Sequence, residues 1–576
     1  MTPKKFFYMI VSSIMVAGML LSACAPAATP SPTEVPPTKE LITVVPQPTK
    51  AEATQPPAPT EAPPTEAPQP PTVDKYGGRL VWAETTGYYT LDPFISPWHT
   101  TPQYATFDTL VALKPDLSEY VGYLVEDKWE IAPDNLSVTF KVRQGIKFHD
   151  GEPVTAEAIK WVLDHYRDPE TGSPGGGWME GIVKDVLVPD VNTLTLVLET
   201  PYAPLFMWLS SNEIPSPKAY QEKGPDAFAQ APVGSGPWIV KEIVPETSVL
   251  YERNPDYAWA LPWFENRGAP YPDEFLIKYM TDEAVTYAAL ETGEIHIAPI
   301  PPQFLEQARS NPNITIVEGQ ENGGTYLGFN CEFPPFDNKN VRVAISHAIN
   351  RDEIIQVGYE GEAVPMYTNL ANTEMGWSPE VDERAKADSY DPEKAKAMLE
   401  AEGYTLGNDG IYQKDGQKLE FVLTIPPDDA RKRVAEVIQA QLAEIGVKAN
   451  IDVKEVQVIK EMTVNSTHQM FLFYFGLLDP QILFYLHHSS RLGASNRTRF
   501  TDPELDKILE AADAALDWEV RKQRVAEALQ FLVDNRPNVP LYSTLSYVGY
   551  RSDLIDGVKY DALGGILLQD VYLLKK

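Results

Sequence analysis

The stretch Tyr326–Tyr359, YLGFNCEFPPFDNKNVRVAISHAINRDEIIQVGY, constrains the fold more than any other part of the chain. Tyr326 to Asn330 is a short apolar run suited to a buried strand. From Glu332 to Lys339 the backbone cannot be regular, because Pro334 and Pro335 lack amide hydrogens and fix φ. Val341, Ala344, Ile345, Ala348 and Ile349 then recur at helical spacing and form one apolar face. Asn350 ends that helix and caps a second one, with Glu353 three residues on, as in a capping box. Strand, loop and two helices in this order point to an α/β core and name no ligand.

The two ends of the chain differ in kind. Met1 to Cys24 reads as an export signal: Lys4 and Lys5 form a positive head, and Phe6 to Leu20 is an apolar run too short for a membrane span. Leu21-Ser22-Ala23-Cys24 resembles the bacterial lipobox, which implies a lipid on Cys24 and an anchored protein that does not span the membrane. Residues 25–76 are rich in Pro, Thr, Ala and Glu, as in PPAPTEAPPTEAPQPP at 56–71. They cannot bury a core, and should form an extended tether reaching on the order of 100–150 Å.

The remainder belongs to a chain of 576 residues with 43% hydrophobic and 10% aromatic content, enough for two or three cores. The formal net charge of −33 repels phosphate backbones and excludes nucleic acid as a partner. It keeps the body soluble outside the cell, or, more sharply, makes an acidic cleft that steers cationic ligands. There are two cysteines, Cys24 and Cys331. With Cys24 lipidated, Cys331 has no disulfide partner and packs as a small hydrophobe.

Along the body, Gly78–Ala83 alternates as a strand, and the loop after it carries Tyr88, Tyr89, Trp98 and His99. Val138, Phe140 and Val142 alternate as a half-buried strand, and Asp150-Gly151 is a turn that takes His149 with it. Thr155 caps a helix with Ile159, Val162, Leu163 and Tyr166 on one face. Residues 186–188 and 194–198 form a hairpin. Val233–Trp238 is a glycine turn entering a strand. Leu419–Ile425, Ala430–Gly446 and Val447–Val453 read as strand, helix, strand. Phe471–Leu486 is the most aromatic run, a buried strand leading into Asp479-Pro480. No GxSxG, HExxH, GxxxxGKS or CxxC motif occurs. TGSPGGG at 171–177 has no lysine for a phosphate loop, and His487-His488 point apart on a helix. The reading is therefore no catalytic residue, no metal and no cofactor, although a carboxylate pair of a secreted hydrolase is not singled out or excluded by sequence.

These segments together resemble family 5 extracellular solute-binding proteins, the oligopeptide- and dipeptide-binding components of ABC importers. The likeness rests on Phe329-Asn330, Pro334-Pro335-Phe336-Asp337 and Val341-Arg342 through Arg351. It extends to Leu91-Asp92-Pro93, Leu124–Glu126, Trp129, Arg143–Gly151, Gly234–Trp238, Leu290–Ala298 (with His296 at a usual Asp), Asp391–Gly403 and Asn538–Tyr542. Ser495–Phe500, Asp502–Leu509 and Arg521–Asp534 resemble the family's closing Asn, polar strand and two helices. The resemblance implies a type II periplasmic-binding-protein fold of two lobes with a cleft between them. Lobe one would be 77–109, 232–322 and 539–576, with 110–231 inserted as a subdomain; lobe two would be 323–538. Crossings between lobes are expected near 323 and 538.

The resemblance also implies a peptide-like ligand, an ABC permease as partner, a monomer, and an extracytoplasmic, lipid-anchored location in the periplasm or on the outer surface. The ligand-binding residues it suggests are Tyr88, Trp98, Trp238, Phe475 and Asp479, with Tyr89 and His99 in reserve. In peptide-binding relatives an Asp about four residues before the Pro of the 471–486 run pairs with the ligand's amino terminus; here Gly476 stands there. That departure keeps an oligosaccharide or another small solute open as the alternative ligand.

Overall fold

The computed structural model describes residues 74–574 except 88–89, 97–99, 177–178 and 180. The export signal, Cys24, most of the tether, and the loop residues Tyr88, Tyr89, Trp98 and His99 lie outside the described residues. In chain order the elements used below begin with β1 (Arg79–Glu84), α1 (Thr101–Thr106), β2 (Ser137–Lys141), α2 (Ala156–Arg167), β3 (Val183–Asp190) and β4 (Thr193–Leu198). There follow β5 (Trp238–Val244), β6 (Ser248–Arg253), β7 (Glu274–Tyr279), α3 (Glu283–Thr292), β8 (Ile297–Pro299) and β9 (Ile314–Gln320). Next come β10 (Gly324–Phe329), α4 (Lys339–His347), α5 (Arg351–Tyr359), β11 (Ala363–Pro365), α6 (Pro392–Ala401) and β12 (Glu420–Ile425). The chain closes with α7 (Asp429–Glu444), β13 (Lys448–Val453), β14 (Met470–Phe475), α8 (Ile482–His487), α9 (Pro503–Ala514), α10 (Trp518–Asn535) and β15 (Asn538–Arg551).

Local chemistry explains most of these boundaries. The Thr155 hydroxyl accepts the Ala158 amide at the start of α2, and Ile159, Val162, Leu163 and Tyr166 face the core. In β2, Val138 and Phe140 are buried and their neighbours are not, the alternation of a one-sided strand. Gly293 ends α3 in the left-handed region at φ 81°, where a side chain is disfavoured. The box at α5 closes in an unexpected way. Asn350 accepts the Glu353 amide, but its own amide goes to Gln441 of α7, which also donates to Glu353. Residues 495–500, expected to be a polar strand, are irregular, because the Asn496 side chain donates to the Phe500 carbonyl and closes a turn. The His296 Nδ1 accepts the amide of Val81 in β1 at 3.0 Å.

The main sheet has the order β13-β12-β14-β10-β15-β8-β1-β7-β6-β5, and β9 and β11 also pair with β15. β12 and β13 are parallel through α7, as the strand–helix–strand reading requires. β2, β3 and β4 form a separate antiparallel sheet with the short strand Glu130–Ile131. The buried clusters divide along the chain. One joins residues between Phe94 and Ala260, with Leu516 added. Two lie under β1, β5–β9 and the C-terminal residues, and two lie between Tyr326 and Tyr542.

β15 is the element common to both halves of this division. From Asn538 to Tyr542 it pairs with β10, and from Tyr542 to Thr544 with β11. From Leu545 to Arg551 it pairs with β9, and over Val548–Tyr550 with β8 as well. The change of partner strands falls at Thr544–Leu545. It lies against the other connection, Glu321–Gly323: the Glu321 amide donates to Thr544 O at 2.9 Å, and the Ser543 hydroxyl to Glu321 O at 2.9 Å.

Candidate functional site

The residues that tie the motifs together are structural before they are anything else. Arg342 is buried and donates to the carbonyls of Phe336, Asn535 and Arg536, fastening the Pro-Pro-Phe-Asp turn to the end of α10. Arg351 donates to Met366 O and Pro540 O; burial pushes its guanidinium down to about 9. His149 joins two further motifs. Its Nε2 donates to Gly236 O at 2.9 Å and its Nδ1 accepts the Gly234 amide. Burial lowers this imidazole to about 4, so it is neutral and serves both roles at once.

The aromatic and acidic residues expected to hold ligand have different fates. Trp238 is only 1% exposed, with its ring 5.4 Å from that of Phe275 in the core under β5. Phe475 is buried against Tyr326 at 5.4 Å. Asp479 is fully buried and takes two hydrogen bonds from Arg521, at 2.7 and 2.5 Å. In this conformation none of the three offers a free face to a solute. The run at 471–481 does reach an open surface through Tyr474, which is 36% exposed and donates its hydroxyl to Asn322 O.

Gly476 has a steric reason. A Cβ there would lie 2.3 Å from the Asn322 carbonyl, and one on Gly323 would lie 2.0 Å from the Phe475 carbonyl. The exit of β14 and the connection Glu321–Gly323 thus meet backbone to backbone, and only glycine allows that approach.

Between the turn Asp116–Ser118, Ala562, the loop Asn372–Trp377, and Trp518 and Lys522 of α10 lies a cavity of about 260 Å³. Tyr104 is 55% exposed, yet burial, then Glu213 and Asp561, push its phenol upward. Tyr474 behaves alike, pushed up to about 12 by burial, then by Glu321 and Glu374. No single-residue signal in the sequence marked Tyr104, Glu374, Trp377 or Trp518, since their chain neighbours are ordinary helix and loop residues.

Segments distant in sequence also touch directly: Gln481 donates to the Tyr202 hydroxyl at 2.6 Å, and the Ala203 amide donates to Asp513 O at 2.6 Å. Below this contact Asp513 stands 3.6 Å from Arg521, which Asp479 already holds. Burial raises Asp513 to about 7; Arg521 pulls it down and Asp479 pushes it back up.

The middle-region model of bacterial extracellular solute-binding proteins, family 5, matches residues 119–495. The chain belongs to that family. Its members are extracytoplasmic solute-binding proteins, and no helix among the described residues is long and apolar enough to cross a membrane. The chain is 25% identical over 501 residues to di/tripeptide-binding protein 2 of Pseudomonas aeruginosa, covering 82% of this chain and 88% of that one. HbpA2 of Haemophilus parasuis superposes with a TM-score of 0.76 at 24% identity, over 86% of this chain and all of that one. The periplasmic binding protein DppA of Helicobacter pylori, solved with the peptide STSA, superposes with a TM-score of 0.65 at 26% identity over 87% and 99% of the two chains. The fold is accordingly the two-lobed α/β fold of periplasmic binding proteins.

Replacing Gly476 with Asp should cost stability, about 1–3 kcal/mol, because the Asn322 carbonyl must move; a thermal melt unchanged from wild type would contradict the close approach. A carboxyl that binds its proton more tightly folded than unfolded favours the fold below its unfolded value and loses that advantage as pH rises to its folded value. Asp513 should therefore make melting temperature fall between about pH 4 and pH 7. The Asp513→Asn variant should show a shallower fall across that window, measured by thermal melts in a pH series.

Proposed function

We propose that this protein is the lipid-anchored solute-binding component of an ABC importer, and that it captures a peptide-like solute between its lobes for a membrane permease. The observation that carries the reading is the cavity between the Asp116–Ser118 turn with Ala562 and the 372–377 loop with α10. Its walls come from segments of both proposed lobes, whose proposed crossings, Glu321–Gly323 and Ser543–Leu545, are hydrogen-bonded to each other. A paired double connection of this kind acts as a hinge, and a solute that touches both surfaces favours the closed arrangement. A micromolar solute supplies about 8 kcal/mol at standard state for that shift.

Relatives named for peptides support the ligand class. The proposed lobes are those of the sequence reading, with the second crossing moved to Thr544–Leu545. The proposed ligand wall comprises Tyr104, Tyr474, Glu374, Trp377 and Trp518, joined by Tyr88 and Trp98 from the loop that precedes α1. Trp238 and Phe475 act as core side chains, and Asp479 fixes the loop after β14 through Arg521. An oligosaccharide remains the second reading, favoured by Gly476 and by aromatic side chains that suit sugar faces.

A thermal-shift panel of di- to tetrapeptides and oligosaccharides separates the two. A ligand at one hundred times its dissociation constant should add about 2.7 kcal/mol of stability. Stabilisation by peptides supports the proposal, and stabilisation by sugars alone overturns it. For the anchor, Cys24→Ser expressed from the full chain should move the protein from the membrane fraction to the soluble one; retention at the membrane would defeat the lipid assignment.

A further inference from the structure

The buried cluster built by residues from Phe94 to Ala260 has one foreign member, Leu516. Leu516 is 7% exposed and stands in the turn between α9 and α10. The two helices themselves pack elsewhere: Leu505 and Leu509 of α9, and Val525 and Leu529 of α10, belong to the cluster that holds Tyr326, Phe471 and Phe475. Two helices thus sit in one core while the residue that joins them sits in another. A turn makes no periodic demand for an apolar side chain, and this one is spent on packing across to a distant part of the chain.

Polar contacts surround the leucine. The Ala203 amide donates to the Asp513 carbonyl at 2.6 Å, one of the last-turn carbonyls that α9 leaves without a helical partner. Gln481 donates to the neighbouring Tyr202 hydroxyl at 2.6 Å. Tyr120, stacked on Phe206 with ring centroids 6.1 Å apart, stands near the Asp479–Arg521 pair: burial, then the charge of Asp479, raise its phenol, and Arg521 opposes them. Tyr120, Tyr202 and Ala203 belong to the proposed subdomain 110–231, and Gln481, Asp513 and Leu516 to the proposed lobe two. None of the six lines the cavity, so the contact forms without a solute.

We propose that Leu516 and its polar rim are a latch between the subdomain and lobe two, and that the cleft opens only when Leu516 leaves the subdomain core. The inference rests on the lobe assignment proposed above and is independent of the chemistry of the solute. Opening returns the leucine to water and separates the Ala203 amide from the Asp513 carbonyl, so the closed arrangement has a stabilisation that no solute supplies. The empty protein is then biased toward closure, and a solute adds to that bias.

The test is a distance measurement between spin labels attached at Lys128→Cys and Glu383→Cys, exposed positions of the subdomain and of lobe two. It uses the full chain carrying Cys24→Ser, with no solute added; burial pushes the Cys331 thiol up to about 12, so it does not compete for label. With Leu516 in place one short distance should dominate, and Leu516→Ala should raise the ratio of long to short distances at least about tenfold. Tyr202→Phe keeps the ring and removes the hydroxyl that Gln481 reaches; it should shift the ratio in the same direction by less, and it carries the test if Leu516→Ala does not fold. The same mixture of distances in all three proteins overturns the latch and leaves the hinge reading standing. A single short distance in all three shows lobes that do not part, and overturns both.

Discussion

The strand β15 carries the architecture. In fourteen residues it pairs first with β10 and β11 and then with β9 and β8, so a single backbone belongs to both lobes. Backbone hydrogen bonding is obligatory for buried strands, which makes that sharing hard to break. The second connection, Glu321–Gly323, is bonded to β15 at the hand-over itself. The glycine-only contact of Gly323 and Gly476 with neighbouring backbone places the end of β14 against that connection.

Buried charge is used here to fix geometry. Arg342 and Arg351 each saturate carbonyls from segments far apart in sequence, and Arg521 does the same for the carboxylate of Asp479. Bringing such groups out of water is costly unless every polar atom is met. Where that condition holds, the residue reads as scaffold.

The cavity wall carries the aromatic residues Trp377 and Trp518 and the acid Asp116, in a chain of formal net charge −33. Charge of one sign along a concave wall concentrates oppositely charged solutes before contact. The acidity that reads as plain solubility in the sequence thus acquires a local meaning around this cleft.

The sequence by itself determined the class of fold, because periodicity and turn chemistry are local. The β10–α4–α5 unit, the parallel β12–α7–β13 unit, the cap at Thr155 and the family motifs could all be read residue by residue. It also marked Gly476 as a departure. Only the tertiary structure decided what each motif residue does. Burial turned Trp238 inward, Arg521 claimed Asp479, and His149 was neutralised to pin the Gly234–Gly236 turn. The same holds for the cavity wall, where Asp116, Glu374, Trp518 and Ala562 come from four distant segments. No local pattern links them, since their proximity is set by how β15 passes between the lobes, and that is a property of long-range strand pairing rather than of any stretch of chain.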